Sequence, residues 1–413
     1  MKKITILIAL VAFCFAAGAQ QMHLQSAISY LNKKYLNKAK EEIDLAVTSD
    51  KNVDAKTWFY KAKIYIHVGQ YPINPNGFKW KGETPADWRD QAYNACIECK
   101  RLDEGKEFAD QNNQLLNIIG IECSNAGIDL YNAGNYAEAM QKCESAIKMF
   151  NESGNAKSSN DSYYLAGLCA YALKDTASLI KDFNTLVRKR SDKAKVYQLL
   201  FGVYKAQGKN DEAFKVASNF VKNCPKDYNA YTLQADAYLA NQNMDKAKES
   251  LAQAEQLTKD NPTVHAQLLS AVGGILSNAG DYDGAEVKYK ESLSLVPSQF
   301  EANFGIASML FNRAIDKRKA SEAIDPVDDE SAALMTKLGE EALGLYSQSE
   351  PYLKNAISYI DGLTSQQEID AQRANLHSCL LALREVYARL ERMDDMKAVR
   401  ERVAQIEAAQ AQK

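Results

Sequence analysis

The amino-acid sequence predicts an all-α fold, an α-α superhelix of about nine helical hairpins with two insertions. Two observations predict it. A short pattern of turn residue, aromatic residue and small residue recurs along the chain, and its small residue stands at Ala213 and again at Ala247, 34 residues on. Proline is scarce, 8 in 413 residues with three of them in one stretch, so most of the chain is free to be helix. Charge narrows the classes further, because 50 Lys+Arg stand against 53 Asp+Glu. That balance lacks the basic excess of a dedicated nucleic-acid binder, and 46% hydrophobic residues are too many for a disordered chain.

The chain opens with Lys2 and Lys3, an apolar run from Ile4 to Ala17, and Ala17-Gly18-Ala19. A short basic start, an apolar stretch and small residues before a cut describe a secretory signal peptide over residues 1–19, with a mature start at Gln20. The run of 14 residues is shorter than the ~20 that span a bilayer. Cys14 follows Phe13 inside the apolar stretch, where no acylation signal places its cysteine. The expectation is a periplasmic or secreted bacterial protein with no membrane insertion after cleavage. Losing Lys2 and Lys3 leaves 48 basic against 53 acidic residues, which moves the chain further from nucleic acid. Seven cysteines then remain, an odd number, so the chain is not a small disulfide scaffold.

Four segments carry the repeat. Asn132-Ala133-Gly134-Asn135-Tyr136 leads to Ala139, Cys143 and Ala146, and Ala279-Gly280-Asp281-Tyr282 leads to Ala285, Tyr289 and Pro297. Gln207-Gly208-Lys209 leads to Ala213, Ala217, Phe220 and Pro225, and Asn241-Gln242-Asn243-Met244 leads to Ala247, Leu251 and Ala254. The small anchor of the second helix of each unit is then Ala39, Ala92, Ala139, Leu179, Ala213, Ala247, Ala285, Ser349 and Met396, nine candidates of which those over 120–299 are the most regular. In the first helices a small residue recurs at Ala27, Ala62, Gly127, Gly167, Ala235, Gly273 and Ala307, with a bulky residue three positions later at Tyr30, Tyr65, Leu130, Tyr238, Leu276 and Leu310. Three residues apart is one helical face, so small and large side chains can interlock along a stack. Phe201 breaks the series.

This pattern resembles the tetratricopeptide repeat family over residues 20–413. The resemblance implies a superhelix whose concave face is lined by first helices and binds a segment of a protein or peptide partner. Carried onto the central repeats, the family's concave positions fall on Tyr164, Leu168 and Tyr171, then Lys195, Gln198, Leu199 and Lys205, then Asn229, Thr232, Leu233 and Asp236, and finally Gln267, Ser270 and Asn278. Tyrosines supply rigid contact area there, and Asn and Gln can hydrogen-bond an extended backbone. The Lys, Asn and Arg set with which chaperone-binding members grip a terminal carboxylate is not reproduced.

Two insertions interrupt the stack. Residues about 72–87 hold three of the 8 prolines with Phe78 and Trp80, and Trp88 follows; this loop lies between the helices of the second hairpin. Either it folds back and buries its aromatics, or it exposes Phe78, Trp80 and Trp88 as an alternative site for a glycan or small ligand. Residues about 316–348 set Lys317-Arg318-Lys319 against an acidic stretch around Pro326, which reads as two extended helices joined at that proline with solvated charges.

Chemistry is not legible. Cys96 and Cys99 have redox or metal spacing, but both fall on inward positions of a second helix with no histidine to complete a site. The four histidines are scattered, and no nucleophile-elbow or phosphate-loop motif occurs. No catalytic residue, metal or cofactor is expected. Asp175-Thr176-Ala177 resembles a bacterial O-glycosylation acceptor, although the same residues suffice as a helix cap. The reading is a non-enzymatic interaction scaffold of the cell envelope, in an assembly or secretion complex. Its oligomeric state is not legible.

Overall fold

The computed structural model describes residues 18–48, 53–71 and 73–411. Residues 1–17, which carry most of the predicted signal peptide, and Pro72 of the first insertion lie outside the described residues. Among the described residues there are 18 helices and no strand, and they pair into nine hairpins. None of these helices is both long enough and apolar enough to cross a membrane.

The chain divides into two compact units, up to Val196 and from Tyr197. The first holds α1 (18–32) with α2 (Leu36–Thr48), α3 (Ala55–Gln70) with α4 (Trp88–Leu102), α5 (Ala109–Asn132) with α6 (Tyr136–Glu152), and α7 (Asn160–Ala172) with α8 (Thr176–Arg188). The second unit takes α9 (Ala194–Ala206), whose first turn precedes the boundary, with α10 (Asn210–Asn223), then α11 (Tyr228–Ala240) with α12 (Met244–Thr258) and α13 (Pro262–Asn278) with α14 (Tyr282–Leu295). It ends with α15 (Phe300–Glu322) and α16 (Asp329–Asp361), then α17 (Gln366–Arg389) and α18 (Met393–Ala411). Within the units, first helices also touch the next first helix, α3 with α5, α5 with α7 and α13 with α15.

Local chemistry sets the ends of these helices. Asp54, Asp175, Asn243, Asn261 and Asp281 each accept a hydrogen bond from a backbone N–H three residues on, which satisfies a donor the first turn leaves unpaired. The connection inside a hairpin needs one residue in the left-handed region. Gly134, Gly208 and Gly280 supply it at φ of 81°, 69° and 83°. Lys174 and Gln242 adopt φ of 59° and 57° at the matching positions, so glycine is preferred there but dispensable.

Packing follows the small-against-large pattern. Ala27, Ala62, Ala235 and Ala307 are buried, as are the second-helix anchors from Ala39 to Ser349. A Cβ on Gly167 would stand 2.1 Å from the Phe183 ring, and one on Gly273 would stand 2.7 Å from Tyr289. These glycines let the first helix lie directly on a ring of the second. Met396 departs from the series, since it is only half-buried near the end of the chain. Phe201, where the small residue is missing, is itself buried, and the exposed Gly202 beside it faces open space.

The eighth hairpin spans the second insertion. α15 and α16 run long, joined over 323–328 through Pro326, and Lys317 pairs with Glu341 across the hairpin at 2.6 Å while Arg318 pairs with Glu322.

One carboxylate is out of character with its surroundings. Asp182 on α8 is only 2% exposed, and burial pushes its carboxyl up to about 6 from an ordinary 3.8. Lys181 draws it down, while Glu144 and Asp175 raise it further. Because the folded state holds this proton more tightly than the unfolded chain, the associated stability is present below pH ~4 and lost as pH rises through about 6.

Two outcomes are expected in thermal and denaturant unfolding. Gly167→Ala should destabilise by about 1–3 kcal/mol through overpacking against Phe183, whereas Gly202→Ala should stabilise by about 0.5–1 kcal/mol through helix propensity alone; equal effects would refute the packing role given to Gly167. Asp182→Asn should be more stable than the parent at pH 7.5 by about 1–2 kcal/mol, with the gap closing near pH 4. A variant weaker than the parent at both pH values would show that the carboxylate is satisfied rather than strained.

Candidate functional site

The predicted groove residues fall into groups with different fates. In the first unit, Tyr164 stacks on Phe183 with ring centroids 6.3 Å apart, and Lys193 Nζ lies 4.8 Å from its ring centre. Leu168 is half-buried, Tyr171 is 55% exposed and Lys195 is exposed. Tyr171 is therefore the aromatic of that set most open to a ligand. Ile121 and Ile128 are also exposed on α5, a first helix, and were not anticipated.

In the second unit, part of the predicted set converges. Lys205 on α9, Asp236 on α11 and Asn278 on α13 line one cavity of about 500 Å³ at the C-terminal ends of three successive first helices. Lys205 Nζ donates to both Asp236 carboxylate oxygens at 2.7 Å and lies 5.7 Å from the Phe201 ring centre. Leu239, Ala240, Ile275 and Ala279 form apolar wall, and Gln242 and Met244 complete the lining from the α11–α12 connection and the first turn of α12. Sequence reasoning missed these six. Leu239 and Ile275 each stand one helical turn from a predicted residue, Asp236 and Asn278, so a search at i±3 along the same helices would have found them.

The remaining residues stand outside that cavity. Gln267 is exposed and Gln198 partly so. The Asn229 amide donates to Asp227, and the Thr232 hydroxyl donates to the Asn229 carbonyl at 2.9 Å. Ser270 corrects the prediction, since it is 3% exposed and its hydroxyl bonds the Ala266 carbonyl at 3.0 Å and Ser292 Oγ at 2.8 Å. It joins α13 to α14 inside the hairpin and offers nothing to a ligand.

The aromatic insertion folds back. Tyr35 and Lys79 form a parallel bridge, the Asn37 side chain holds Lys81, and the Phe78 ring packs on His67 at 4.7 Å. Phe78 and Trp80 pack against the core of the first hairpin, and the Trp80 Nε1 is buried. Trp88 is 3% exposed and seals the space above Gly69, where a Cβ would meet its ring at 2.1 Å. The alternative ligand surface of Phe78, Trp80 and Trp88 is therefore corrected to a structural clasp: these rings do not form an open stacking face.

The cysteines are core residues. Cys96 and Cys99 are fully buried on α4, unpaired, and burial pushes the Cys99 thiol up to about 12 and that of Cys96 higher still. A thiol held protonated is a poor nucleophile and metal ligand. Among the described residues no three His, Cys, Asp or Glu side chains come together to hold a metal ion. Asp175 caps α8 by accepting from Ser178 N, which lowers its carboxyl, so the Asp-Thr-Ala segment has a structural role.

A family model described as the tetratricopeptide repeat matches residues 203–262, the segment that carries Lys205 and Asp236. The chain is 31% identical over 121 residues, 27% of its length, to the Arabidopsis thaliana protein kinesin light chain-related 2. It is 30% identical over 172 residues, 40% of its length, to the Homo sapiens protein O-mannosyl-transferase TMTC1. The chain spans only 18% of the length of each of these two relatives. Among solved structures, yeast Tom70 is similar at 14% identity, with 95% of this chain and 89% of that chain covered and a TM-score of 0.37.

Proposed function

We propose that the chain, in which a tetratricopeptide repeat matches residues 203–262, is a non-enzymatic scaffold that binds an extended protein segment along its first helices, centred on the Lys205–Asp236–Asn278 cavity. The observation that carries this reading is the convergence of those three side chains, each from a different first helix, on one cavity of about 500 Å³ with apolar walls. A mixed lining of that size suits a peptide: the apolar wall takes side-chain area, and the amides of Asn278 and Gln242 can pair a backbone that has left water. Repeat units of this kind present such surfaces by construction, because the stack leaves one row of first-helix positions unburied.

The site of action is proposed as the bacterial periplasm or exterior, within a cell-envelope assembly or secretion complex. The supporting feature is the Lys2-Lys3 start, apolar run and Ala17-Gly18-Ala19 of the sequence.

Two experiments bear on these proposals. Random peptides displayed on phage and selected on the full chain should enrich binders whose affinity falls by about tenfold or more when Lys205, Asp236 and Asn278 are replaced together by alanine; undiminished binding to the triple variant would remove the cavity from the site. Fractionation of expressing bacteria, with N-terminal sequencing, should recover a chain beginning at Gln20 outside the cytoplasm, and a full-length chain retained in the cytoplasm would overturn the localisation.

A further inference from the structure

We propose that the cavity at the ends of α9, α11 and α13 receives a basic side chain of the bound segment, an arginine guanidinium above all, with Asp236 as its counter-charge and Lys205 as the resident cation that it displaces. The proposal rests on the groove reading and adds the class of residue the groove selects.

Three features of the cavity point the same way. First, it lies where three helices end. Asp236, Leu239 and Ala240 belong to the last turns of α11, Ile275 and Asn278 to those of α13, and Lys205 is the penultimate residue of α9. The carbonyl ends of helices carry partial negative charge, which favours a cation. The opposing N-terminus of α12 is already served, because the Asn243 side chain accepts from Lys246 N.

Second, the charged groups are asymmetric. Lys205 is the single basic residue of the lining, and both Asp236 oxygens stand 2.7 Å from its Nζ. An incoming carboxylate would have to take Lys205 from that pair and leave Asp236 unpaired beside a second negative charge. An incoming cation leaves Asp236 paired throughout. The displaced Lys205 is partly exposed on a flexible stem and can carry its charge into water at little cost.

Third, the walls fit an arginine stem. Leu239, Met244 and Ile275 give an aliphatic passage, and the Asn278 and Gln242 amide oxygens can accept guanidinium N–H groups that Asp236 does not engage. A guanidinium is planar and presents five donors, so it uses more of these acceptors than an ammonium can.

The test uses the full chain with ¹³C-labelled Met and Ile methyls, reading Met244 and Ile275 inside the cavity. The probes are Nα-acetyl-arginine amide, the citrulline counterpart, which is nearly isosteric but uncharged, and Nα-acetyl-glutamate amide. The arginine probe should shift both methyls saturably and the other two should not. Asp236→Asn should abolish the response, and Lys205→Gln should tighten it by about two- to fivefold by removing the competitor. A response to the glutamate probe that is lost in Lys205→Gln, or an arginine response that survives Asp236→Asn, would overturn the proposal. Displayed peptides that bind through Lys205, Asp236 and Asn278 yet carry no basic residue would overturn it too, while leaving the groove reading intact. An arginine response with no peptide selected would do the reverse.

Discussion

The rest of the structure depends on the close approach of two helices within each hairpin. Neither helix of a pair can bury its apolar face alone, and the pair closes only where a small residue on one lets a large side chain of the other lie flat against the backbone. Gly69 under Trp88 and Gly167 under Phe183 are the tightest instances, and Gly273 under Tyr289 is another of the same device. Interiors packed to this density leave no room for a methyl group out of place. The demand for small and large residues at fixed spacing thus precedes any demand from function.

That constraint also decides what is left for binding. The inward faces of both helices are committed to packing, which explains why cysteines with redox-like spacing are inert fillers and why Ser270 spends its hydroxyl on Ser292. The positions not consumed form a row on the first helices, and the cavity opens where three of those helices end. Lys205 and Asp236 can sit there as an ion pair because they lie at the edge of the packed layer, partly in water, where a charge pair costs little to hold. Asp182 illustrates the opposite case. It lies inside the layer with no cation at ion-pair distance among the described residues, and its carboxyl is driven toward the protonated form.

The insertions are absorbed by the same logic. The long eighth hairpin adds turns to two helices that already pack together, and its charges pair across the added length. The proline-rich loop cannot be helix. It settles instead against the first hairpin, with Phe78 on His67 and a single bridge at Lys79. Its aromatics are drawn into existing core because that removes their apolar area from water, whereas on an open face they would stay hydrated until a ligand arrived to cover them.

The sequence by itself determined the class of fold, the nine hairpins, the small-residue anchors from Ala39 to Ser349 and the helical extension around Pro326, because each is a local rule repeated at a readable spacing. It also determined which residues were candidates for the concave row. Only the tertiary structure decided which of them meet. Ser270, Asn229 and Thr232 occupy concave positions of the repeat, yet local partners claim their polar groups, and Trp88 sits beside a loop yet seals a core. Leu239 and Ile275 are marked only by lying one helical turn from Asp236 and Asn278, and Gln242 and Met244 only as part of a repeat's turn; they join Lys205, Asp236 and Asn278 because separate helices end at one place. Spacing along a chain encodes which face a residue shares with its neighbours three or four positions away, whereas a site made from three hairpins depends on how those hairpins stack, and that is a property of the packed whole.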